Sequence, residues 1–386
     1  MPEAFPDMRD EVMVFLEPTY EAHLADRFVD PTPEMNPDGL LTPLVRLRET
    51  MATRGIEVHT ADLLRTGAKR AKRNLYYSFG PLKQPEELQK IPGVELKRAF
   101  IFEPPVVYPQ LYRSLRSFAR YFERIHLFNT HEDGYRVDAS TGRKLQAFRC
   151  PQPFDGVLED LWSNRDRRYM TLINSNKSPA SHHRELYSER IRAAAYFGRK
   201  GKLDLYGRDW ADPIAKFIKA GQRNGDFPLL TIARILRRGI FLPYLLNRKA
   251  LLQAYQGEIQ TKHEVLSRYT FAICYENMVM QGYLTEKIFD CLYVGTIPIY
   301  WGAPDIDECL PKSCYIDARA FKSYPDLERY LDSLTESQLE AFREEGRAFL
   351  TSEAFKPFST SCFSEIFIAD VMETMQILGA QAETSS

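Results

Sequence analysis

The segment Tyr269–Pro311 reads YTFAICYENMVMQGYLTEKIFDCLYVGTIPIYWGAPDIDECLP, and its pattern decides the fold. Tyr269–Cys274 is a short apolar and aromatic run of the kind that forms a buried strand. Tyr275-Glu276-Asn277 ends it with polar groups, and Gly282 permits a tight approach ahead of Tyr283-Leu284-Thr285-Glu286-Lys287. A helix is expected from Thr285, a favoured N-cap residue, to Gly295, a favoured C-cap residue. Thr296–Tyr300, rich in β-formers, is the next strand. Strand, helix and strand joined by short loops imply a parallel sheet, and such sheets bind ligands beyond the carboxyl ends of their strands. Glu276, Asn277, Tyr283, Glu286 and Lys287 all fall on that rim, beside a helix N-terminus whose N–H groups favour an anion.

The alternation continues toward the N-terminus. Met170–Asn174 reads as a strand, followed by a polar loop with Ser175-Asn176 and a helix from about His183, with Tyr187, Ile191 and Ala194 on one face. Leu203–Tyr206 is a strand closed by Gly207-Arg208-Asp209-Trp210. Further back, Val12–Leu16, Ile56–Val58, Arg98–Phe102 and Ile125–Phe128 read as strands. Helices are expected with Leu40, Leu44, Leu47 and Met51 on one face, and with Leu111, Leu115, Phe118 and Phe122 on another. Glu103 stands where a strand stops and the Pro104-Pro105 turn begins, a rim position in the first half. Periodicity fades between Arg136 and Asn164. The expected architecture is α/β, two Rossmann-like domains facing across a cleft. An N-terminal domain spans 1–160, a C-terminal domain 161–350, and a helical tail 351–386 packs back on the first.

The 386 residues suit two or three domains at about 150 residues each. A net charge of −1 excludes a global field for nucleic acid. Six scattered cysteines with no C-x-x-C pair give neither a zinc site nor a redox motif, and Cys274 and Cys291 read as core fillers. The N-terminus has no signal-peptide pattern and no apolar run is long enough to span a membrane, which favours a cytoplasmic protein. Two features keep a peripheral contact with the inner membrane open. One is the basic run Lys69–Arg73, read as a solvated loop or helix end with acidic lipid or glycan as the alternative. The other is the basic and apolar stretch Arg234–Lys249, read as packing within the second domain.

The residues Cys274-Tyr275-Glu276-Asn277, Gly282-Tyr283, Thr285-Glu286-Lys287-Ile288 and Gly295–Pro304 together resemble the C-terminal signature of family 10 glycosyltransferases, the α1,3/α1,4-fucosyltransferases. The likeness is dense over about forty residues. It extends loosely to Ser175-Asn176 with its following arginine, to Leu205–Trp210 and to Glu103-Pro104-Pro105. The resemblance implies a GT-B fold, GDP-fucose as donor and an inverting transfer of L-fucose to a glycan hydroxyl. The acceptor would be an oligosaccharide, lipid-linked or polysaccharide glycan. It implies that Lys287 and Arg184 hold the donor diphosphate, with Arg190 or Arg192 as alternatives to Arg184. A lysine in a helix first turn opposes the dipole, and a bound anion there would account for it. Glu286 is implied near the sugar and ribose, and Asn277 and Tyr283 line the nucleotide. Glu276 either orients the loop or contacts fucose. Glu103 matches the general base, which takes the acceptor hydroxyl proton.

Asp305-Ile306-Asp307 spells the D-x-D of metal-dependent transferases, but a helix first turn explains it as well, and no metal or other cofactor is expected. Two other readings stay open: a GT-B enzyme using a different nucleotide sugar, and a protein of this fold that binds without turnover. Acceptor, linkage and oligomeric state are not legible in the sequence.

Overall fold

Two six-stranded parallel sheets organise the chain. The structure is a computed structural model. It describes residues 10–211 and 241–384, apart from 33, 134, 178 and 180–182. The chain separates into two compact units, Met1–Asp155 with Phe355–Ser386, and Gly156–Ala354.

The first unit contains β1 (Val12–Glu17), β2 (Glu57–Thr60), β3 (Arg73–Ser78), β4 (Val94–Ile101), β5 (Arg124–Leu127) and β6 (Leu145–Ala147). They lie in the order β2-β1-β3-β4-β5-β6, every pair parallel. All six residues of β1 are buried, as a strand covered on both faces requires. The helix Thr360–Thr384 belongs to this unit. Its Asp370 is buried and accepts Arg98 Nε at 2.7 Å, Arg98 Nη2 at 2.6 Å and the Tyr77 hydroxyl at 3.0 Å. Phe363 and Phe367 of the same helix pack among Phe79 and Phe100.

Two expectations change here, and the reading of the basic run as a loop or helix end holds. Residues 69–72 lie between the helix Ala61–Thr66 and β3, which begins at Arg73, and the charges of the run meet neighbouring carboxylates: Lys69 pairs with Glu57, Lys72 with Glu11 and Arg73 with Glu95. The apolar stripe after Tyr108 belongs to two short helices, Pro109–Arg113 and Leu115–Tyr121, broken at Ser114, yet it buries Leu111, Leu115 and Phe118 as its spacing implies. The helix that carries Leu44, Leu47 and Met51 begins at Thr42, so Leu40, expected on the same face, lies ahead of it and is exposed.

The second unit contains β7 (Arg168–Ile173), β8 (Asp204–Tyr206), β9 (Tyr255–Gly257), β10 (Tyr269–Tyr275), β11 (Ile297–Trp301) and β12 (Ile316–Asp317). The order is β12-β11-β10-β7-β8-β9. Counted from β7, that is the Rossmann order 3-2-1-4-5-6 read from β9 to β12. The winding therefore reverses between β7 and β10, and the carboxyl ends of those two strands flank the crevice where such sheets take their ligands. The helix Phe241–Ala254 lies against the helix Tyr187–Arg199, where Gly198 lets Ala250 and Ala254 close in. It buries Tyr244 and Leu251 and leaves Leu246 exposed. Residues 234–240 of the basic and apolar stretch lie outside the described residues. No helix among the described residues is long and apolar enough to cross a membrane.

Candidate active site

The rim of the second sheet is built by three turns that lock onto one another. The first follows β10. Glu276 is fully buried, and its carboxylate accepts the Thr285 N–H at 2.8 Å and the Thr285 hydroxyl at 2.8 and 3.0 Å. Its Oε2 lies 3.1 Å from Lys287 Nζ. Thr285 stands at the N-cap position of the helix Glu286–Tyr293 with extended backbone, but its side chain makes no cap bond to the helix N–H groups. Its oxygen instead accepts Lys287 Nζ at 2.9 Å. The helix ends as its sequence implies: Gly295 is left-handed, with Gly295 N–H on Leu292 O and Thr296 N–H on Cys291 O.

Gly302 explains the W-G-A-P turn. A Cβ there would lie 2.5 Å from Glu276 Cγ and closer still to the Tyr300 hydroxyl. The absence of a side chain therefore makes room for Glu276. Asp305, four residues past Trp301, accepts the Gly282 N–H on both oxygens at 2.8 and 3.1 Å and so ties the loop after β11 to the loop after β10. Asp307 takes the Tyr315 hydroxyl at 2.5 Å and Lys312 Nζ at 2.9 Å. The D-x-D string thus divides its carboxylates between two separate structural tasks.

Charges on this rim balance closely. Burial opposes the charged form of Lys287, but the carboxylates of Glu276 and Glu286 outweigh it and raise its pKa well above the ordinary lysine value. Burial would likewise raise Glu286, yet Lys287, helped by Lys262, brings it down to about 2. Both groups are therefore ionised near neutral pH, with Lys287 Nζ 3.4 Å from Glu286 Oε1.

The second turn follows β7. Asn174 is held by its N–H on Tyr206 O at 3.0 Å and by its carbonyl, which accepts Trp210 Nε1 at 2.6 Å. Asn176 follows, its N–H on Arg208 O and its side chain on Asp209 O. Gly207 has φ 124°, and a Cβ there would collide with the Asn174 carbonyl. The Leu205–Trp210 run thus shapes the loop that starts at Asn174.

The third piece is 184–186, which pairs antiparallel with 277–279. Leu186 N–H donates to Asn277 O at 3.0 Å and Val279 N–H to Arg184 O at 2.8 Å. Arg184 is exposed and adopts φ 52°, the left-handed region that non-glycine residues seldom enter. The pairing therefore brings Arg184 to the loop that carries Asn277. Of the two alternatives, Arg192 pairs with Glu189 on the helix surface. Arg190 is buried and holds Asn174, Tyr275 and Asn277 together. Asn277 in turn donates to the Tyr283 hydroxyl at 3.1 Å, and Tyr283 is buried. Asn174 and the role of Arg190 carry no local signal in the sequence, because both arise from strand ends about a hundred residues apart in the chain.

In the first unit, Glu103 lies two residues beyond β4, partly exposed, with its carbonyl accepting the Tyr112 hydroxyl at 3.0 Å. Burial, and after it the negative charge of Glu103, raises the pKa of the Tyr20 hydroxyl.

Two Rossmann-like units, each a six-stranded parallel sheet, are the make-up of the GT-B fold. An α-glucosyltransferase solved with UDP and a 13-mer DNA superposes with a TM-score of 0.53 at 13% identity, over 93% of this chain and 99% of that one. Residues 248–344 match the model of glycosyltransferase family 10 (fucosyltransferase), C-terminal part. It is similar to an α-(1,3)-fucosyltransferase of Helicobacter pylori, 37% identical over 76 residues, 20% of this chain and 16% of the relative. It is also similar to a GDP-fucose protein O-fucosyltransferase 3 of Xenopus laevis, 39% identical over 74 residues, 19% of this chain and 16% of the relative. The match thus spans about a sixth of the length of these relatives.

Proposed function

We propose that the chain is an inverting fucosyltransferase that moves L-fucose from GDP-β-L-fucose to a hydroxyl of a glycan acceptor, in α1,3 or α1,4 linkage. The observation that carries this reading is the Lys287 ammonium, fixed by Glu276 and Thr285 at the start of the helix Glu286–Tyr293, inside the segment that matches family 10. A fixed cation at the positive end of a helix suits a departing diphosphate. The name of the Xenopus relative supports GDP-fucose as donor.

In this reading Arg184 joins Lys287 on the diphosphate, Asn277 and Tyr283 line the nucleotide, and Glu286 faces ribose and sugar. Glu276 acts from below by holding Lys287. The acceptor oxygen attacks the anomeric carbon as the bond to GDP breaks. The electron pair leaves on the β-phosphate oxygen, and the acceptor proton passes to the Glu103 carboxylate. The cations supply the leaving-group stabilisation without a metal, a reading supported by the engagement of Asp305 and Asp307 elsewhere.

Incubation with GDP-fucose and a panel of glycan acceptors in excess chelator tests it. Acceptor-dependent GDP release from GDP-fucose supports the reading. Release only from another nucleotide sugar, release only after metal is restored, or GDP binding with no turnover would each replace it.

A further inference from the structure

Arg190 is 3% exposed and lies at the point where the second sheet reverses its winding. Its guanidinium donates from Nε and Nη2 to Tyr275 O at 3.0 and 2.6 Å, from Nη1 to Asn174 Oδ1 at 3.1 Å, and from Nη2 to Asn277 Oδ1 at 2.9 Å. Tyr187 lies under the guanidinium, 4.9 Å from ring centroid to Cζ. Asn174 follows β7 directly, and Tyr275 ends β10, so one side chain spans both lips of the crevice. Each acceptor is a neutral oxygen; among the described residues no carboxylate pairs with this guanidinium. A buried cation whose hydrogen bonds all go to amide oxygens, with Glu276 and Glu286 acting on it only through space, costs stability that a well-packed apolar residue would not. The sequence retains it in the one place where the two strand ends must keep a set spacing.

The consequence passes along a chain of hydrogen bonds. Accepting from Arg190 fixes the Asn277 amide with its oxygen inward, so its Nδ2 is directed at the Tyr283 hydroxyl, 3.1 Å away. Arg190 also stands one turn into the helix whose lead-in, 184–186, pairs with 277–279. It therefore clamps the same loop from beneath that Arg184 borders from above.

We propose that Arg190 is a positioning residue for the nucleotide site: its planar fork fixes the gap between the ends of β7 and β10 and, through Asn277, the Tyr283 hydroxyl that meets the nucleotide diphosphate donor. This rests on the donor reading of the second unit. The fork, more than the charge, is what matters, because a lysine ammonium cannot reach three separated acceptors in one plane.

Calorimetric titration of GDP and steady-state kinetics on Arg190→Lys, Arg190→Ala and Asn174→Ala test it, with thermal unfolding run alongside. Arg190→Lys is expected to weaken GDP binding about tenfold, the size of one lost charge-assisted hydrogen bond. KM for GDP-fucose should rise with it while kcat stays within about threefold, since Arg190 touches no reacting atom. Millimolar guanidinium should restore GDP affinity to Arg190→Ala, which a purely structural defect would not permit. Asn174→Ala removes a single acceptor and should weaken GDP binding about threefold even if both arginine variants fail to fold. GDP affinity within twofold of wild type in Arg190→Lys or, where that variant does not fold, in Asn174→Ala overturns the assignment, and so does an Arg190→Ala defect that guanidinium leaves unchanged. A wild-type protein that binds no GDP overturns the donor reading itself, a result distinct from the failure of Arg190 alone.

Discussion

Lys287 Nζ lies 3.1 Å from Glu276 Oε2, and that carboxylate has no exposure to solvent. The two charges are each other's solvation. Glu276 also accepts three bonds from Thr285, so the same carboxylate sets the backbone at the start of the helix and the ammonium above it. A ligand anion at Lys287 would meet a cation whose position is already determined, which limits the ordering cost of binding.

Glu276→Gln should therefore show its effect through the lysine. An isosteric amide keeps the shape and leaves Lys287 with Glu286 alone, and breaking one side of a buried pair costs about 3 kcal/mol. Urea unfolding is expected to shift by that order, and calorimetry to show GDP affinity lowered about tenfold or more. An unchanged unfolding midpoint would mean that solvent reaches this pair.

Gly302→Ala makes the same point by a steric route. The added methyl must displace either the Tyr300 hydroxyl or Glu276 Cγ. Overpacking of this kind costs about 1–3 kcal/mol. Because Ala303 N–H also rests on the Tyr300 hydroxyl at 2.8 Å, the turn after β11 should move as well. Thermal unfolding would report the loss, and GDP titration should show weakened binding alongside it. A variant with wild-type stability and affinity would place the turn further from Glu276.

The rim was legible in the sequence because it is local: strand, turn, N-cap threonine and C-cap glycine all lie within Tyr269–Gly295, and their periods and turn residues agree. What the sequence hid is long-range or short. β3 was masked by the basic run before it, since Lys69 and Arg73 show their acidic partners Glu57 and Glu95 only once the sheet is formed. The three-residue strands β6 and β9 and the two-residue β12 carry too little alternation to register, whereas β8, equally short, is marked by Leu203, Leu205 and the Gly207 turn beside it. Thr285 stands at the N-cap, as its residue type implies, but its side chain makes no bond to the helix N–H groups. Its hydroxyl answers to Glu276, which no rule for a single helix contains. Arg190 appeared only as a substitute for Arg184, because its burial depends on where β7 and β10 end.

The first unit carries a histidine with a definite pH signature. His59 Nδ1 lies 2.8 Å from Asp26 Oδ2 and Nε2 lies 2.8 Å from Glu57 Oε2. Burial and Lys69 work against the charged ring, yet the bonds to Asp26 and Glu57 outweigh them and raise its pKa above 6.5. A raised folded-state pKa contributes stability that is fully present below the unfolded value and is lost as pH rises through the folded one. The melting temperature should thus fall as pH climbs above 6.5, and His59→Gln should flatten that slope while lowering stability at pH 6. A parallel slope in the variant would assign the pH dependence to another group.

Glu103 offers the separation of binding from chemistry. It belongs to the first unit, while the proposed donor residues all belong to the second. Its backbone is held by the Tyr112 hydroxyl on its carbonyl, a bond that Glu103→Gln retains. The amide keeps the volume of the side chain and loses the ability to take a proton from the acceptor hydroxyl. General-base catalysis contributes about 10²–10⁴ in rate, so transfer should fall by that factor. GDP affinity should stay within about twofold, because no donor contact changes. Measuring both on one preparation makes the outcome unambiguous. A normal transfer rate would remove Glu103 as the base. A parallel loss of GDP binding would instead place Glu103 among the groups on which donor affinity depends.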